Sequence, residues 1–145
     1  MTNKGLVVEL TQLFDALNSQ SKAIRKNSRL SEARLSIILF LVEQGPQTLK
    51  SLAEYRKVSA ATMSRLVAAL VKEDWILRAN SRQDKRSKIF IVTRKGKVVA
   101  NNERERDLAT LAKALEQLTP EEQVDLGHGI GIIQKVITRL AKVPV

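Results

Sequence analysis

The sequence predicts a mainly α-helical protein with one small β-hairpin, and three observations support this fold class. Over most of the 145 residues, apolar side chains recur at spacings of three and four, which is the period of an amphipathic helix. Within residues 75–93 the pattern changes to short β-branched and aromatic runs, which are typical of strands. Helix start and stop signals, including Ser31, Gly45, Ser59 and Pro120, divide the helical part into separate segments.

The first helix is predicted over about residues 6–26, where the apolar residues form one narrow stripe. Spacings that alternate between three and four are typical of a seam between packed helices. Two interpretations stay open: a core helix of a monomer, or a helix that packs on a second subunit. The stripe consists of Val7, Leu10, Phe14, Leu17, Ser21 and Ile24.

Three shorter helices are predicted between residues 31 and 72. Ser31 is a good N-cap for the first of them, whose apolar centre predicts the most buried helix and which stops at Gly45-Pro46. Thr48 caps the next helix, and Ser59 caps the one that follows after a turn at 56–58. This last helix places Met63, Leu66, Val67 and Leu70 on one face and Ala61, Ser64, Arg65, Ala68 and Lys72 on the other.

A β-hairpin follows, with strands predicted at 75–78 and 88–93 and a polar turn at 79–86. The hairpin and the residues after it are unusually rich in positive charge. The cations are Arg78, Arg82, Lys85, Arg86, Lys88, Arg94, Lys95 and Lys97.

Two further helices are predicted from about residue 95 to the C-terminus. Thr119-Pro120-Glu121-Glu122 is a strong start signal, with an N-cap, a proline at the first position and a glutamate three residues after the cap. Both helices continue the alternating stripe, through Leu108, Leu111, Leu115 and Leu118 and then through Leu126, Ile130, Ile133, Ile137 and Leu140.

Three glycines, Gly127, Gly129 and Gly131, lie inside the last of these helices. Each costs about 1 kcal/mol of helix stability relative to alanine, so their presence needs a reason. The helix either bends or breaks there, or the glycines admit a closely packed partner helix. We favour close approach in a dimer.

The charge is concentrated in the middle of the chain. The net charge is +10; residues 31–97 carry 14 basic and 6 acidic groups, whereas residues 98–145 carry 6 and 7. A basic domain favours a polyanionic partner, either nucleic acid or an anionic membrane surface. The longest apolar run, Ile37–Val42, is too short to span a bilayer. Of the two kinds of partner, we expect nucleic acid and no membrane.

The composition also excludes several kinds of chemistry. The chain has no cysteine and a single histidine, His128, so disulfides and thiol catalysis are excluded and histidine-based metal or triad sites have little support. Asp84 lies among cations with no second carboxylate nearby, which argues against a catalytic acid. We therefore expect no metal, no cofactor and no enzymatic activity.

Two short helices joined by a tight turn and followed by a basic hairpin form a winged helix-turn-helix. Small side chains on the second helix allow close approach to base edges in the major groove, while the cations of the hairpin suit phosphates or a narrow minor groove. The candidate DNA-binding residues are Ser59, Ala60, Ala61, Thr62, Ser64, Arg65, Arg82, Lys85, Arg86 and Lys88. Further candidates, for contacts with the phosphate backbone of DNA, are Lys50, Tyr55, Arg56 and Lys57.

A string of short motifs runs through this region. The motifs are Leu30-Ser31, Leu52-Ala53-Glu54, Val58-Ser59, Thr62-Met63-Ser64-Arg65-Leu66-Val67, Leu70, Arg78, Asp84-Lys85-Arg86, Val92-Thr93 and Gly96. No single motif is specific, but the whole string with its spacing resembles the MarR family of bacterial transcriptional regulators over residues 30–100.

The resemblance implies a single MarR-type domain over residues 1–145, with a DNA-binding lobe at 30–97 and dimerisation helices at 1–29 and 98–145. It implies a cytoplasmic homodimer that binds a palindromic operator, usually as a repressor, with the helix after Ser59 in the major groove and Arg86 reaching DNA from the wing. Many members release DNA when a small, often aromatic, molecule binds between the lobe and the dimer helices. Phe14, Phe40 and Trp75 are candidate linings of such a pocket.

Three positions depart from the family pattern. Ala68-Ala69 stand where the family usually has Asp-Arg, so an ion-pair brace between helix and wing is not expected from these residues. Asp74 replaces a common glycine before the wing and can still adopt a left-handed conformation. Arg82 replaces a frequent wing proline and adds a candidate phosphate contact.

Two other classes of function compete with a DNA-binding regulator. A winged-helix module that antagonises another regulator through protein contact would have a wing without strong charge. An enzyme acting on nucleic acid would need a carboxylate cluster or a His/Cys site. The cationic wing disfavours the first, and the absence of such a cluster from the sequence disfavours the second.

Overall fold

The computed structural model describes residues 3–25, 28, 30–83 and 86–144. Its helices are α1 (Asn3–Ile24), α2 (Glu32–Gln44), α3 (Leu49–Arg56), α4 (Ala60–Lys72), α5 (Arg94–Leu115) and α6 (Pro120–Leu140). Its strands are β1 (Gln47–Thr48), β2 (Ile76–Asn80) and β3 (Lys88–Val92). This order confirms the mainly α-helical fold with a small hairpin.

The N-cap signals in the sequence act as expected. The Ser31 Oγ accepts the Arg34 backbone N–H at 3.3 Å, and the Thr48 Oγ1 accepts that of Ser51 at 3.1 Å. Thr119 and Glu122 form a reciprocal capping box, with bonds of 3.1 and 2.9 Å between side chain and backbone. Each bond satisfies an amide that the first turn of a helix leaves without an intrahelical partner.

The sheet is larger than the predicted hairpin. Its strand order is β1-β3-β2 with antiparallel neighbours, so the two-residue β1 adds an edge that the sequence did not predict. The prediction that residues 79 and 80 belong to the turn was wrong, because Ala79 pairs with Ile89 and Asn80 with Lys88. Cross-strand pairing extends β2 beyond its apolar residues, and the Ser81 N–H closes the hairpin by donating to the Ser87 carbonyl at 2.9 Å.

The hydrophobic core lies between α2, α3, α4 and the sheet. The expectation that α2 is deeply buried is confirmed, since four of its side chains are buried. The core cluster consists of Leu30, Leu35, Ile37, Ile38, Leu41, Leu52, Ala53, Met63, Val67, Leu70, Trp75, Ile76, Phe90 and Ala100.

The chain divides into two compact units, residues 1–103 and 104–145. In the first unit, Arg25 follows α1 and is only 6% exposed. Its Nη1 donates to the Leu30 carbonyl and to Glu103 Oε2, both at 3.1 Å. This buried cation therefore connects the end of α1 with the chain leading into α2 and with α5.

In the second unit, α6 runs without interruption through its three glycines. The interpretation that the helix breaks there is therefore wrong. A Cβ placed at Gly127, Gly129 or Gly131 would meet nothing within 4 Å in the single chain. Space beside these positions is thus open to another molecule.

Candidate nucleic-acid interface

A tight turn joins α3 to α4. Lys57 adopts the left-handed conformation, with φ 56° and ψ 45°, and the Val58 N–H bonds to the Ala53 carbonyl at 3.1 Å. The Lys57 N–H bonds to the Glu54 carbonyl at 3.2 Å, and the two bonds satisfy carbonyl groups at the end of α3. Ser59 then begins α4, because its Oγ accepts the Thr62 backbone N–H at 3.1 Å. Few residues separate the two helices, so α4 is held firmly against α3.

The inner face of α4 seats the helix on the core. Met63, Val67 and Leu70 are at most 1% exposed. They recur one turn apart, so one side of the helix is buried from residue 63 to residue 70. This confirms the inner face that the sequence predicts.

The outer face of α4 is open to solvent. Its stripe consists of Ala61, Ser64, Arg65, Ala68 and Lys72, all of which are exposed, and Ser59 and Ala60 are exposed at the start of the helix. Thr62 is half-buried, and its Oγ1 accepts a hydrogen bond of 3.0 Å from the Ser59 Oγ. The structure therefore gathers the candidate residues of α4 at one accessible surface, while their contacts with DNA stay a prediction.

A backbone hinge joins α4 to the wing. Asp74 has φ 60°, which confirms that this residue adopts the left-handed conformation expected of it. The Thr93 hydroxyl donates to the Asp74 carbonyl at 2.6 Å, and the Thr93 N–H donates to the Trp75 carbonyl at 3.1 Å. Thr93 thus ties the end of the wing to its beginning. These hydrogen bonds connect the two elements, whereas Ala68 and Ala69 of α4 cannot form an ion pair with the wing.

Gly96 lies directly against this hinge. A Cβ at this position would stand 2.0 Å from the carbonyl oxygen of Trp75. Non-bonded atoms do not approach so closely, so only glycine fits here without a backbone shift. The sequence motif contains Gly96, but the reason for the glycine is visible only in the structure.

The wing presents several of the predicted cations to solvent. Arg82, Arg86 and Lys88 are exposed, and Lys88 Nζ donates to Asn80 Oδ1 across the hairpin. Lys85, which is also a candidate, lies outside the described residues, as does Asp84. The guanidinium of Arg78 stands 5.6 Å from the centre of the Phe90 ring, a cation–π contact that the strand pattern did not predict.

Arg56 and Tyr55 have partners within the lobe. The Arg56 guanidinium makes two hydrogen bonds, of 3.0 and 3.1 Å, to the Glu32 carboxylate. The Tyr55 ring stacks on Phe40 with centroids 4.0 Å apart, and Tyr55 is still 45% exposed. Arg56 therefore braces α3 against α2. Lys50, at the start of α3, and Lys57, at its end, are exposed.

The three aromatic residues proposed to line an effector pocket occupy different environments. Trp75 is buried in the core, Phe40 is stacked on Tyr55, and Phe14 is half-buried on α1. A separate cleft of about 460 Å³ lies between α5 and α6, and none of the three lines it. The cleft is lined by Ala112, Leu115, Glu116, Gln123, Leu126, Gly127 and Ile130.

Searches for two other kinds of site gave negative results over the described part of the chain. In residues 3–25, 28, 30–83 and 86–144, no group of three or more His, Cys, Asp or Glu residues is arranged to hold a metal ion. Within the same ranges, no helix has the length and apolar character needed to cross a membrane.

The sequence is similar to those of known transcriptional regulators. The MarR family matches residues 30–88, which include α2, α3, α4, β2 and the start of β3. The chain is 27% identical over 117 residues to YpoP of Bacillus subtilis, an HTH-type transcriptional regulator, covering 81% of this chain and 82% of that protein. It is 26% identical over 120 residues to YxaD of the same organism, another HTH-type transcriptional regulator, covering 83% and 84%.

Solved structures share the fold at lower sequence identity. A MarR family protein from Bacillus stearothermophilus superposes with a TM-score of 0.79 at 19% identity, covering 95% of this chain and 99% of that one. FabT from Streptococcus pneumoniae, solved in complex with DNA, gives a TM-score of 0.73 at 19% identity, covering 96% and 99%. The structural similarity thus extends beyond the matched segment to nearly the whole chain.

Proposed function

We propose that this chain is a MarR family repressor, and not an enzyme, that binds a palindromic operator as a homodimer. It releases the operator when a small aromatic molecule binds. The match of the MarR family model to residues 30–88 supports this proposal. One observation carries the proposal: the exposed stripe of α4 and the exposed cations of the wing belong to one lobe of high positive charge. Such a lobe offers both a base-reading helix and counter-charges for phosphates.

The two DNA-facing elements have different tasks in this proposal. The exposed stripe of α4 enters the major groove, where each base pair presents a distinct pattern of donors, acceptors and methyl groups. Arg82 and Arg86 of the wing neutralise phosphates or enter the adjacent minor groove. The hinge at Asp74 and Thr93 holds the two elements in a fixed relation, so both engage one duplex at once.

Homodimerisation is supported by the apolar faces of the terminal helices. Neither α1 nor α6, both fully within the described residues, contains a buried side chain. Exposed apolar patches of this kind are rare on monomers and mark association surfaces. A twofold dimer presents two recognition helices, which is why a palindromic operator follows. The exposed large apolar residues of α1 and α6 include Leu6, Val7, Leu13, Leu17, Ile24, Val124, Leu126, Ile130, Ile132, Ile137 and Leu140.

In the proposal, repression and its relief depend on whether the dimer occupies the operator. A dimer on an operator that overlaps a promoter excludes polymerase, and a bound effector that disfavours the DNA-competent arrangement relieves this exclusion. The absence of cysteine from the sequence favours a non-covalent organic effector over peroxide. Release of operator DNA by low micromolar peroxide or zinc, with no release by phenolic acids, would contradict this part.

Binding isotherms at several salt concentrations test the DNA-binding assignment. Arg86→Ala should weaken binding to operator and random duplexes together and flatten the salt slope by about one unit for each phosphate that a subunit no longer neutralises. Arg65→Ala should cost about 1–3 kcal/mol on the operator and much less on random DNA. Lys142→Ala is the matched control, since it removes an exposed cation outside the lobe.

The outcomes separate the proposal from its rivals. An unchanged affinity and salt slope in Arg86→Ala would show that the wing is a solvated hairpin without a DNA contact. Failure of the full-length protein to prefer any duplex would favour the winged-helix module that acts by protein contact. Retention of other regulators, without retention of DNA, would then identify that alternative.

A further inference from the structure

The base-reading side of α4 carries a restricted set of chemical groups. The whole helix, residues 60–72, contains no Asn, Gln, Asp or Glu. Asn and Gln are the side chains that pair with adenine through N6 and N7, and Asp and Glu are those that accept from the cytosine amino group. The helix α4 therefore lacks the side chains that typically recognise adenine or cytosine edges.

The hydroxyl groups near the start of α4 are partly engaged within the helix cap. The Ser59 Oγ accepts the Thr62 N–H at 3.1 Å and donates to the Thr62 Oγ1 at 3.0 Å. The Ser59 hydroxyl proton is thus held by a neighbour, and Thr62 is half-buried. Ser64 is left as the exposed hydroxyl of the stripe, further along the helix.

The groups that do reach the surface match two bases. Arg65 is the one long donor in the exposed stripe before Lys72, which lies in the last turn. Arginine donates in bidentate fashion to guanine O6 and N7. Ala60, Ala61 and Ala68 are exposed methyl groups, and an alanine methyl recognises the C5-methyl group of thymine by apolar contact.

We infer that each recognition helix reads a guanine through Arg65 and flanking thymines through the methyl groups of Ala60, Ala61 and Ala68. This inference rests on the proposed function, because it specifies the bases that the same helix face selects. The complementary strand carries the adenines and cytosines, so the half-site is read mainly from the thymine and guanine edges. Removal of one buried methyl group corresponds to about a fourfold decrease in affinity.

A methyl-deletion experiment tests the inference. The tightest-binding duplex is first selected from random-sequence duplexes about three helical turns long, which suffices for two half-sites. Each thymine of that duplex is then replaced in turn by deoxyuridine, which lacks only the C5-methyl group. Affinities are measured with the full-length protein and with Ala60→Gly, Ala61→Gly and Ala68→Gly.

Ala69→Gly is the matched control, because Ala69 is half-buried and lies off the exposed stripe, yet its replacement lowers helix propensity equally. We expect deoxyuridine at one or more half-site positions to weaken the wild-type protein and Ala69→Gly by about fourfold. At those positions at least one of the three stripe variants should lose the sensitivity. In parallel, 7-deazaguanine at the guanine contact should weaken wild type and leave Arg65→Ala unaffected.

Two results would overturn the inference while leaving the proposed function intact. Sequence-specific binding with no sensitivity to deoxyuridine at any position would exclude methyl reading. Sensitivity that persists undiminished in all three stripe variants would assign the effect to DNA shape rather than to the alanines. By contrast, failure to enrich any duplex from the random pool would contradict the proposed function itself.

Discussion

The winged lobe and the terminal helices differ in how far their apolar side chains are buried. The buried apolar side chains of the described chain fall between Leu30 and Ala100, where α2, α3, α4 and the sheet enclose them. Over the described residues of α1 and α6, by contrast, apolar side chains recur at helical spacing but none is buried, and most of the large ones are exposed. Both regions carry apolar residues at helical spacing, but the buried cluster of the described chain lies in the lobe.

This difference indicates two sources of stability. The lobe buries its apolar surface by itself, so its folding should not depend on protein concentration. In the proposed homodimer the terminal helices gain their burial from the partner subunit, so their order should depend on association. The same substitution placed in each region should therefore give different outcomes.

The largest effect is expected from Ile38→Asp. Ile38 is fully buried in α2, and an unpaired carboxylate there costs several kcal/mol, which is comparable with the whole stability of a small domain. We expect the lobe to lose cooperative unfolding in urea at every protein concentration. A variant with near-native stability would show that the core of the lobe is less closed than its burial indicates.

The next effect is expected where the two regions connect, at Arg25. Arg25→Met leaves Glu103, whose side chain is only 16% exposed, without this ion pair. Breaking a buried pair on one side costs about 3–5 kcal/mol, and we expect about 3 here because Glu103 keeps some access to water. Urea unfolding measures the loss, and adding Glu103→Gln should restore part of it. A loss no larger than that of Arg34→Met would contradict the role of this pair.

A smaller effect is expected from Ile137→Asp on α6. Ile137 is 52% exposed in the single chain, so the lobe should stay folded while self-association weakens by about 2 kcal/mol or more. Sedimentation at micromolar concentration should show a shift from twice the chain mass towards the chain mass. His128→Asp is the control. His128 is nine residues before Ile137, which places it on the opposite side of the helix. Equal effects of both changes would contradict an apolar dimer face on α6.

The smallest effect is expected at the glycines of α6. Gly127→Ala adds about 1 kcal/mol of helix propensity and meets nothing within 4 Å in the single chain. We nevertheless expect weaker self-association, because a partner helix close to Gly127 would meet the new methyl group. Gly129→Ala, about half a turn away, should gain the propensity without this loss. Tighter self-association of Gly127→Ala would show that no helix packs closely there.

The fold was largely predictable because its signals are local. Ser31, Thr48, Ser59 and Thr119 mark helix starts through bonds to amides three residues ahead, and such bonds depend only on neighbours in sequence. The outer stripe of α4 was predictable for a similar reason, since helical periodicity separates it from the dry face. The exposure of this stripe confirms the pattern.

Features that depend on distant partners were not predictable in this way. Strand β1 has two residues and no periodicity of its own; it exists because Gln47 and Thr48 pair with β3. The Arg56–Glu32 pair joins residues 24 positions apart, so it was not predicted from the sequence, where Arg56 was considered for a contact with the DNA backbone. The burial of Arg25 likewise depends on Glu103, 78 residues away.

The close approach of Gly96 to the Trp75 carbonyl restricts how this regulator can evolve. Because the obstructing atom belongs to the backbone, no exchange of the side chain at position 75 makes room for a larger residue at 96. The outer positions of α4 face solvent, so substitutions there can be made one by one without a steric clash. Position 96, by contrast, has to stay glycine for as long as the Trp75 carbonyl lies against the first turn of α5.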